Sequence, residues 1–119
     1  MEMKKILHRY FELWRTQDVS RLKEIFTKDA IYAVDPFEES YRGIKKIERY
    51  WLANTVANQI SPRPKITALA CGNNIIFTEW ETRYKNQAGK SKMMKGMLLL
   101  EFAGGKIKNL REHWTSKKI

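Results

Sequence analysis

Ser61-Pro62-Arg63-Pro64-Lys65-Ile66-Thr67-Ala68-Leu69-Ala70-Cys71-Gly72-Asn73-Asn74 is the stretch at which the chain changes period. Two prolines in three residues end any helix that reaches them, because each fixes φ and lacks a backbone donor. From Lys65 onward apolar residues recur at every second position, the spacing of a strand with two distinct faces. Residues 65–71 therefore read as a strand closed by the turn signal Gly72-Asn73-Asn74. Residues 75–85 read as a second, long strand, and Asn86-Gln87-Ala88-Gly89-Lys90 as a hairpin loop. Residues 91–102 form the third strand, Ala103-Gly104-Gly105 the next hairpin and residues 106–115 the last strand.

Upstream of the prolines the period is helical. Ile6, Leu7, Tyr10, Phe11, Leu13 and Trp14 mark an amphipathic helix over 3–16. Asp18 suits the N-cap of a short helix over 18–26 with Val19, Leu22, Ile25 and Phe26 on one face. Ala30-Ile31-Tyr32-Ala33-Val34 is a strand that stops at Asp35-Pro36, and Tyr41-Arg42-Gly43 is a turn. Ile44, Ile47, Trp51 and Thr55 place a third helix over 43–58. Helices followed by an antiparallel meander make an α+β layout, with the helices on one face of a curved sheet.

The chain has 119 residues, 43% hydrophobic and 30% charged, which suits one domain spanning 1–119. Five Phe, four Trp and five Tyr exclude intrinsic disorder. Cys71 is the single cysteine, which excludes a disulfide scaffold and suits a reducing, cytoplasmic setting. No apolar run has the length that spans a bilayer, and the start of the chain lacks the pattern of a signal peptide. Of the net charge of +10, residues 1–60 supply little, with 11 basic against 9 acidic residues, and residues 61–119 the rest, with 12 against 4. Those basic residues are dispersed rather than gathered in a tract. That pattern fits solvated loops and edge-strand lysines better than a nucleic-acid surface.

Nucleotide loops of the G-x-G-x-x-G and Gly-Lys-Ser/Thr kinds are absent, so no cofactor is expected. His8 and His113 stand in no ligand-spaced cluster, and no metal is expected either. Cys71 closes an apolar strand, where a buried, inert thiol is expected ahead of a Cys–His dyad.

Several local patterns recur together in one known family. They are Tyr10-Phe11-Glu12-Leu13-Trp14, then Asp18 with Leu22 and Ile25-Phe26-Thr27-Lys28-Asp29-Ala30, then Asp35-Pro36. Tyr41-Arg42-Gly43-Ile44 with Ile47 and Tyr50-Trp51, and Gly105-Lys106-Ile107 with Leu110-Arg111-Glu112-His113-Trp114, complete the set. In this order they resemble the nuclear-transport-factor-2-like superfamily, most closely its SnoaL-like members and more distantly the ketosteroid isomerases. The resemblance covers nearly the whole chain. It implies a cone: a strongly bent antiparallel sheet wrapped around three N-terminal helices, a cystatin-like α+β barrel. It also implies a pocket between the concave face and the first and third helices.

By the same resemblance Tyr10 matches the isomerases' oxyanion-binding tyrosine and Asp35 their general base, with one extra residue between Asp29 and Asp35. Their second oxyanion donor, a protonated aspartate, falls on Leu98, and Trp51 replaces the tyrosine that supports the first donor. Loss of one such donor costs about a hundredfold to a thousandfold in rate, so steroid isomerisation is not expected. Tyr10 can equally be a core residue and Asp35 a turn residue.

The resemblance places Leu98, Leu100 and Phe102 inward, with Leu110, Glu112 and Trp114, and Phe77 and Glu79 beside them. The expected pocket is then Trp14, Trp51, Phe77, Glu79, Leu98, Leu100, Glu112 and Trp114 with Tyr10, and Asp35 at its edge. Glu79 and Glu112 are either an acid/base pair or partners of Arg83 and Arg111. On the opposite face Thr78, Trp80, Tyr84, Met97 and Leu99 are too apolar for open water, which suggests a homodimer through the sheet. Three functions follow. The chain binds a small apolar or aromatic molecule; it is an isomerase, cyclase, dehydratase or hydrolase using a carboxylate; or it is a basic binding module for nucleic acid or an acidic partner.

Overall fold

A computed structural model describes residues 3–119. Helix α1 (Met3–Thr16) buries Leu7, Tyr10, Phe11, Leu13 and Trp14, the face its spacing predicts. A short 3₁₀ helix (Val19–Glu24) follows where an α-helix over 18–26 is expected. Asp18 is its N-cap residue but caps no backbone group, because its carboxylate accepts from the Ser20 hydroxyl at 2.6 Å instead.

Strand β1 (Phe26–Ala33) starts four residues ahead of the predicted one, and Tyr41–Arg42 is a two-residue strand, β2, rather than a plain turn. Gly43 needs its positive φ of 87° to turn the chain into α2 (Ile44–Trp51), and its N–H donates to the Ala30 carbonyl at 2.8 Å. Helix α2 then widens into a π-helical segment (Leu52–Val56) before the prolines end it. Strands β3 (Lys65–Cys71), β4 (Ile75–Lys85), β5 (Ser91–Ala103) and β6 (Lys106–Lys118) form the predicted meander.

The six strands make one sheet in the order β2-β1-β6-β5-β4-β3. It is curved and open, with β2 and β3 as free edges, so the cone keeps a mouth. One pairing departs from an all-antiparallel sheet: β1 runs parallel to β6, with Tyr32 beside Leu110. The register slips between Phe26 and Ile31 because five β1 residues span what two β6 residues span, and this bulge bends β1 around the helices.

The faces of β4 are the reverse of the expected ones. Lys85 pairs with Ser91 across the hairpin, so Thr78 stands opposite Leu98, Trp80 opposite Gly96 and Thr82 opposite Met94. Directly opposed residues share a face. Thr78, Trp80 and Thr82 therefore lie inside with Leu98 and are buried, whereas Phe77 and Glu79, opposite Leu99 and Met97, lie outside and are exposed. Gly96 lets Trp80 lie flat on the strand: a Cβ there would sit 2.5 Å from Trp80 Cζ2 and 2.6 Å from the His113 carbonyl.

Candidate active site: a carboxyl in an aromatic cavity

The concave face of β4–β6, α1 and the π-helical end of α2 enclose a cavity of about 150 Å³. That volume takes about one benzene ring. Its walls are Tyr10 and Trp14 from α1, Tyr32 from β1, Trp51 from α2 and Trp80 from β4, and Tyr50 and Trp114 reach its lining too. Trp114 is 46% exposed, so it forms the open side. The rings stand nearly perpendicular: Tyr10 to Trp51 at 83° and Trp14 to Trp80 at 81°. The wide π turn brings Asn54 and Thr55 to the lining, and Gln59 follows. Trp14 Nε1 donates to Gln59 Oε1 at 2.8 Å, and Gln17 Nε2 holds the Thr55 and Gln59 carbonyls at 3.1 and 2.6 Å. Helix α1 thereby fixes the loop that completes the wall.

One carboxyl lies inside. Glu112 on β6 is 6% exposed, stands directly across from Leu98 and lines the cavity. Its Oε1 accepts from the Tyr32 hydroxyl at 3.3 Å. That commits the single Tyr32 proton, so Tyr32 accepts from Tyr10, 3.1 Å away, and from Trp51 Nε1 at 3.3 Å. Among the described residues no donor reaches Oε2 and no cation pairs with Glu112. Burial raises its pKa to about 7, against a smaller opposing effect of the Tyr32 hydrogen bond. Burial, and next the nearby Glu112 carboxyl, also push the Tyr10 and Tyr32 hydroxyls well above the usual phenol range.

The expected site residues separate accordingly. Tyr10, Trp14, Trp51, Glu112 and Trp114 line one cavity. Leu98 and Leu100 are fully buried core residues behind it. Phe77 and Glu79 are outside for the reason of register, and Glu79 accepts from Thr67 Oγ1 at 2.8 Å rather than facing Glu112. Thr78 and Trp80 are buried within the protomer and offer no dimer surface; Tyr84 lines the cavity, while Met97 and Leu99 do lie on the outer face. Asp35 lies in a separate rim depression with Glu38 and His113, which shares only Tyr50, Asn54 and Trp114 with the cavity. Its Oδ1 accepts from the Phe37 N–H at 2.8 Å, the geometry of a turn residue. Tyr32 was not expected in the site; its alternation with Ala30 was the available signal, but its neighbour β6 was not. Among the described residues no three of His, Cys, Asp and Glu converge to hold a metal ion.

Residues 7–110 match the SnoaL-like domain family. The chain belongs to that family. No curated protein sequence matches it. Among solved structures, the epoxide hydrolase/cyclase-like enzyme SalBIII of pyran ring formation in salinomycin superposes with a TM-score of 0.82. It is 19% identical, with 98% of this chain and 95% of that one covered. A Catenulispora acidiphila protein of ketosteroid-isomerase-like fold, solved in complex with trimethylamine, gives 0.78 at 17% identity, covering 90% and 82%. A Jannaschia protein described as a candidate SnoaL-like polyketide cyclase gives 0.79 at 13%, covering 95% and 83%. At these identities the likeness establishes the fold, and the SnoaL-like chain keeps its own cavity chemistry.

Proposed function

We propose that this SnoaL-like protein binds a small molecule of about one ring's size in the cone, addressing its polar group with Glu112. The observation that carries this reading is the unpaired carboxyl at the inner wall of an otherwise aromatic cavity. Enzymes and candidate enzymes of the same fold that act on small organic molecules support it. Titration calorimetry with single-ring and short branched probes tests it. Binding should be nearly independent of salt, and Thr55→Phe, which fills the cavity, should abolish it while circular dichroism stays unchanged. Binding that survives Thr55→Phe, or that collapses with salt as for a polyanion, would sink the reading.

Proton transfer is the second reading. It is favoured by the cross-strand pair Leu98–Glu112, which sets a carboxyl one strand away from the position where the isomerase resemblance lacks a donor. A group titrating near 7 can serve as acid or base at neutral pH. Exchange of the α-hydrogens of cyclohexenone for deuterium, read by NMR, should then rise with pH through about 7 and vanish in Glu112→Gln. For assembly, the outer face is the surface to consider: Phe77 and Met97 are 44% and 45% exposed, beside Leu99. We read it as a homodimer face, and sedimentation of Phe77→Glu against the parent checks it. The Cys71 thiol is exposed rather than buried, because it lies on β3 at the free edge of the sheet, and as a free thiol it fits a reducing, cytoplasmic setting.

A further inference from the structure

We infer that the molecule taken into the cone is a small organic cation, an alkylammonium whose charge sits against Glu112 Oε2 and whose alkyl groups sit among the rings. The inference rests on the binding reading above and names its ligand class.

The carboxyls that form ion pairs supply the first argument. Glu12, Glu24, Glu81 and Glu101 on the surface each have an arginine or lysine between 2.6 and 3.6 Å away. Glu112 is far more buried and has none, although the chain carries 23 lysines and arginines. A carboxylate taken out of water without a cation is costly, and no described residue brings a cation to it.

The lining supplies the second. Rings carry negative faces, and cages of them around a carboxylate recognise substituted ammonium ions. The donors nearest Glu112 are committed within the protein, Tyr10 and Trp51 to Tyr32, Tyr32 to Glu112 and Trp14 to Gln59, and of the hydroxyls facing it only that of Tyr50 is left without a bond among the described residues. The vacant capacity beside the carboxyl is an acceptor, Oε2, which suits a cation rather than an anion. Trp80 Nε1 is the one buried lining donor without a partner, and it can meet a hydroxyl elsewhere on the ligand.

The mouth supplies the third. In a chain of net charge +10, the rim depression that shares Tyr50, Asn54 and Trp114 with the cavity carries Asp35 and Glu38. Among the described residues that depression is lined by two carboxyls and His113, with no lysine or arginine.

Groups facing Glu112 are Tyr10 from α1, Tyr32 from β1, Tyr50 from α2, Leu98 from β5, and Leu110 and Trp114 of its own strand. None of them titrates between pH 5 and 8, while His113 lies in the rim depression and makes a Glu112 variant the necessary control. Calorimetry of the full chain with choline and with its neutral isostere 3,3-dimethylbutan-1-ol, at pH 5.5 and 8, decides the matter. Choline should bind about tenfold or more tighter at pH 8 than at pH 5.5, as Glu112 ionises, and about tenfold tighter than the isostere at pH 8. Both differences should collapse in Glu112→Gln and persist, reduced, in Glu112→Asp, with circular dichroism confirming that each variant folds. Equal binding of the two probes at pH 8 would overturn the cation inference and leave the small-molecule reading standing. So would an isostere that binds more tightly at pH 5.5, because a protonated carboxyl would then be the donor. Failure of both probes in the parent at millimolar concentration would overturn the cation inference, and the binding reading would then stand or fall with the single-ring probes.

Discussion

The two faces of β4 carry similar residue types and meet opposite fates. Inside lie Ile76, Thr78, Trp80 and Thr82; outside lie Ile75, Phe77, Glu79, Glu81 and Arg83. Each face has an aromatic residue and an isoleucine, and two threonines stand on one against two glutamates on the other. Threonine is tolerated inside because the backbone absorbs its hydroxyl. Thr78 Oγ1 donates to the Ala68 carbonyl at 2.8 Å beside the β3–β4 bulge, and Thr82 Oγ1 accepts from the Arg63 N–H at 2.9 Å. Glu79 and Glu81 outside keep water and exposed partners, Thr67 and Lys65. Alternation announces that a strand has two faces, and pairing decides which is dry.

The comparison breaks most sharply at its two aromatic residues. Trp80→Ala removes a buried indole packed 4.8 Å from Trp14 and should cost about 3–5 kcal/mol in urea unfolding. Phe77→Ala, one residue earlier, should stay within about 0.5 kcal/mol at protein concentrations where the chain is monomeric. Equal losses would mean that the register across the β4–β5 hairpin is wrong.

The inner face also carries a carboxyl whose cost depends on pH. Below its ordinary pKa of 4.5, Glu112 is protonated in both folded and unfolded chains and costs nothing. Between 4.5 and about 7 the folded state holds a proton that the unfolded chain has released, so stability falls as pH rises. Above about 7 the loss is complete, and the shift corresponds to roughly 3 kcal/mol. Unfolding free energies of Glu112→Gln should therefore lack the downward slope of the parent between pH 5 and 8. The variant should be the more stable protein at pH 8 in the absence of ligand. Glu79→Gln, on the outer face, should leave the parent's slope intact.

The element order is legible in the sequence because period and breakers are local. The helical face of α1, the Pro62–Pro64 break and both hairpins follow from residues within a few positions of one another. Long-range facts escaped it. The parallel β1–β6 pair joins residues about eighty positions apart, and without it nothing links Tyr32 to Glu112. The β4 inversion was within reach: counting back from the Asn86–Lys90 loop sets position 78 opposite 98, which puts Thr78 on the face already assigned to Leu98. Alternation sets Glu112 on one face with Leu110 and only the resemblance turns that face inward, while its isolation from arginine and lysine depends on where each of those residues goes, which no local pattern records.

Gly96 sharpens the comparison at smaller scale. It lies on β5 between Trp80 on one side and Trp114 on the other, and the Trp80 ring occupies the place of its missing side chain. Gly96→Ala should cost about 1–3 kcal/mol by displacing that ring, and should weaken binding of any cavity ligand as the wall moves. Gly89, in the hairpin loop, has open space around it; there the cost of Gly89→Ala comes from its φ of 77° alone, about 1 kcal/mol. A Gly96→Ala protein as stable as its parent would show that both the Trp80 ring and the strand at the His113 carbonyl can give way.

The smallest effect is expected at the acidic residue that resemblance made most prominent. Asp35 lies at the rim of the cone, with Glu38 beside it, and Glu112 lies inside, and their surroundings assign the two different work. Asp35 Oδ1 receives the Phe37 N–H, and the Asp35 carbonyl receives the Glu38 N–H at 3.3 Å, so the residue shapes the turn after β1. Asparagine offers the same acceptor, and Asp35→Asn should unfold within about 0.5 kcal/mol of the parent. Asp35→Ala leaves the Phe37 N–H to water and should cost up to about 1 kcal/mol. As a partly exposed charge beside the mouth, Asp35 can favour the approach of a cation but holds none in place. Choline affinity in Asp35→Asn should then fall by less than about threefold, and the difference should shrink further as salt is added. Glu112, inside the wall, should show little such screening. A tenfold or greater loss in Asp35→Asn that persists at high salt would move the centre of recognition from the inner wall to the rim, and the contrast between the two carboxyls would have to be redrawn.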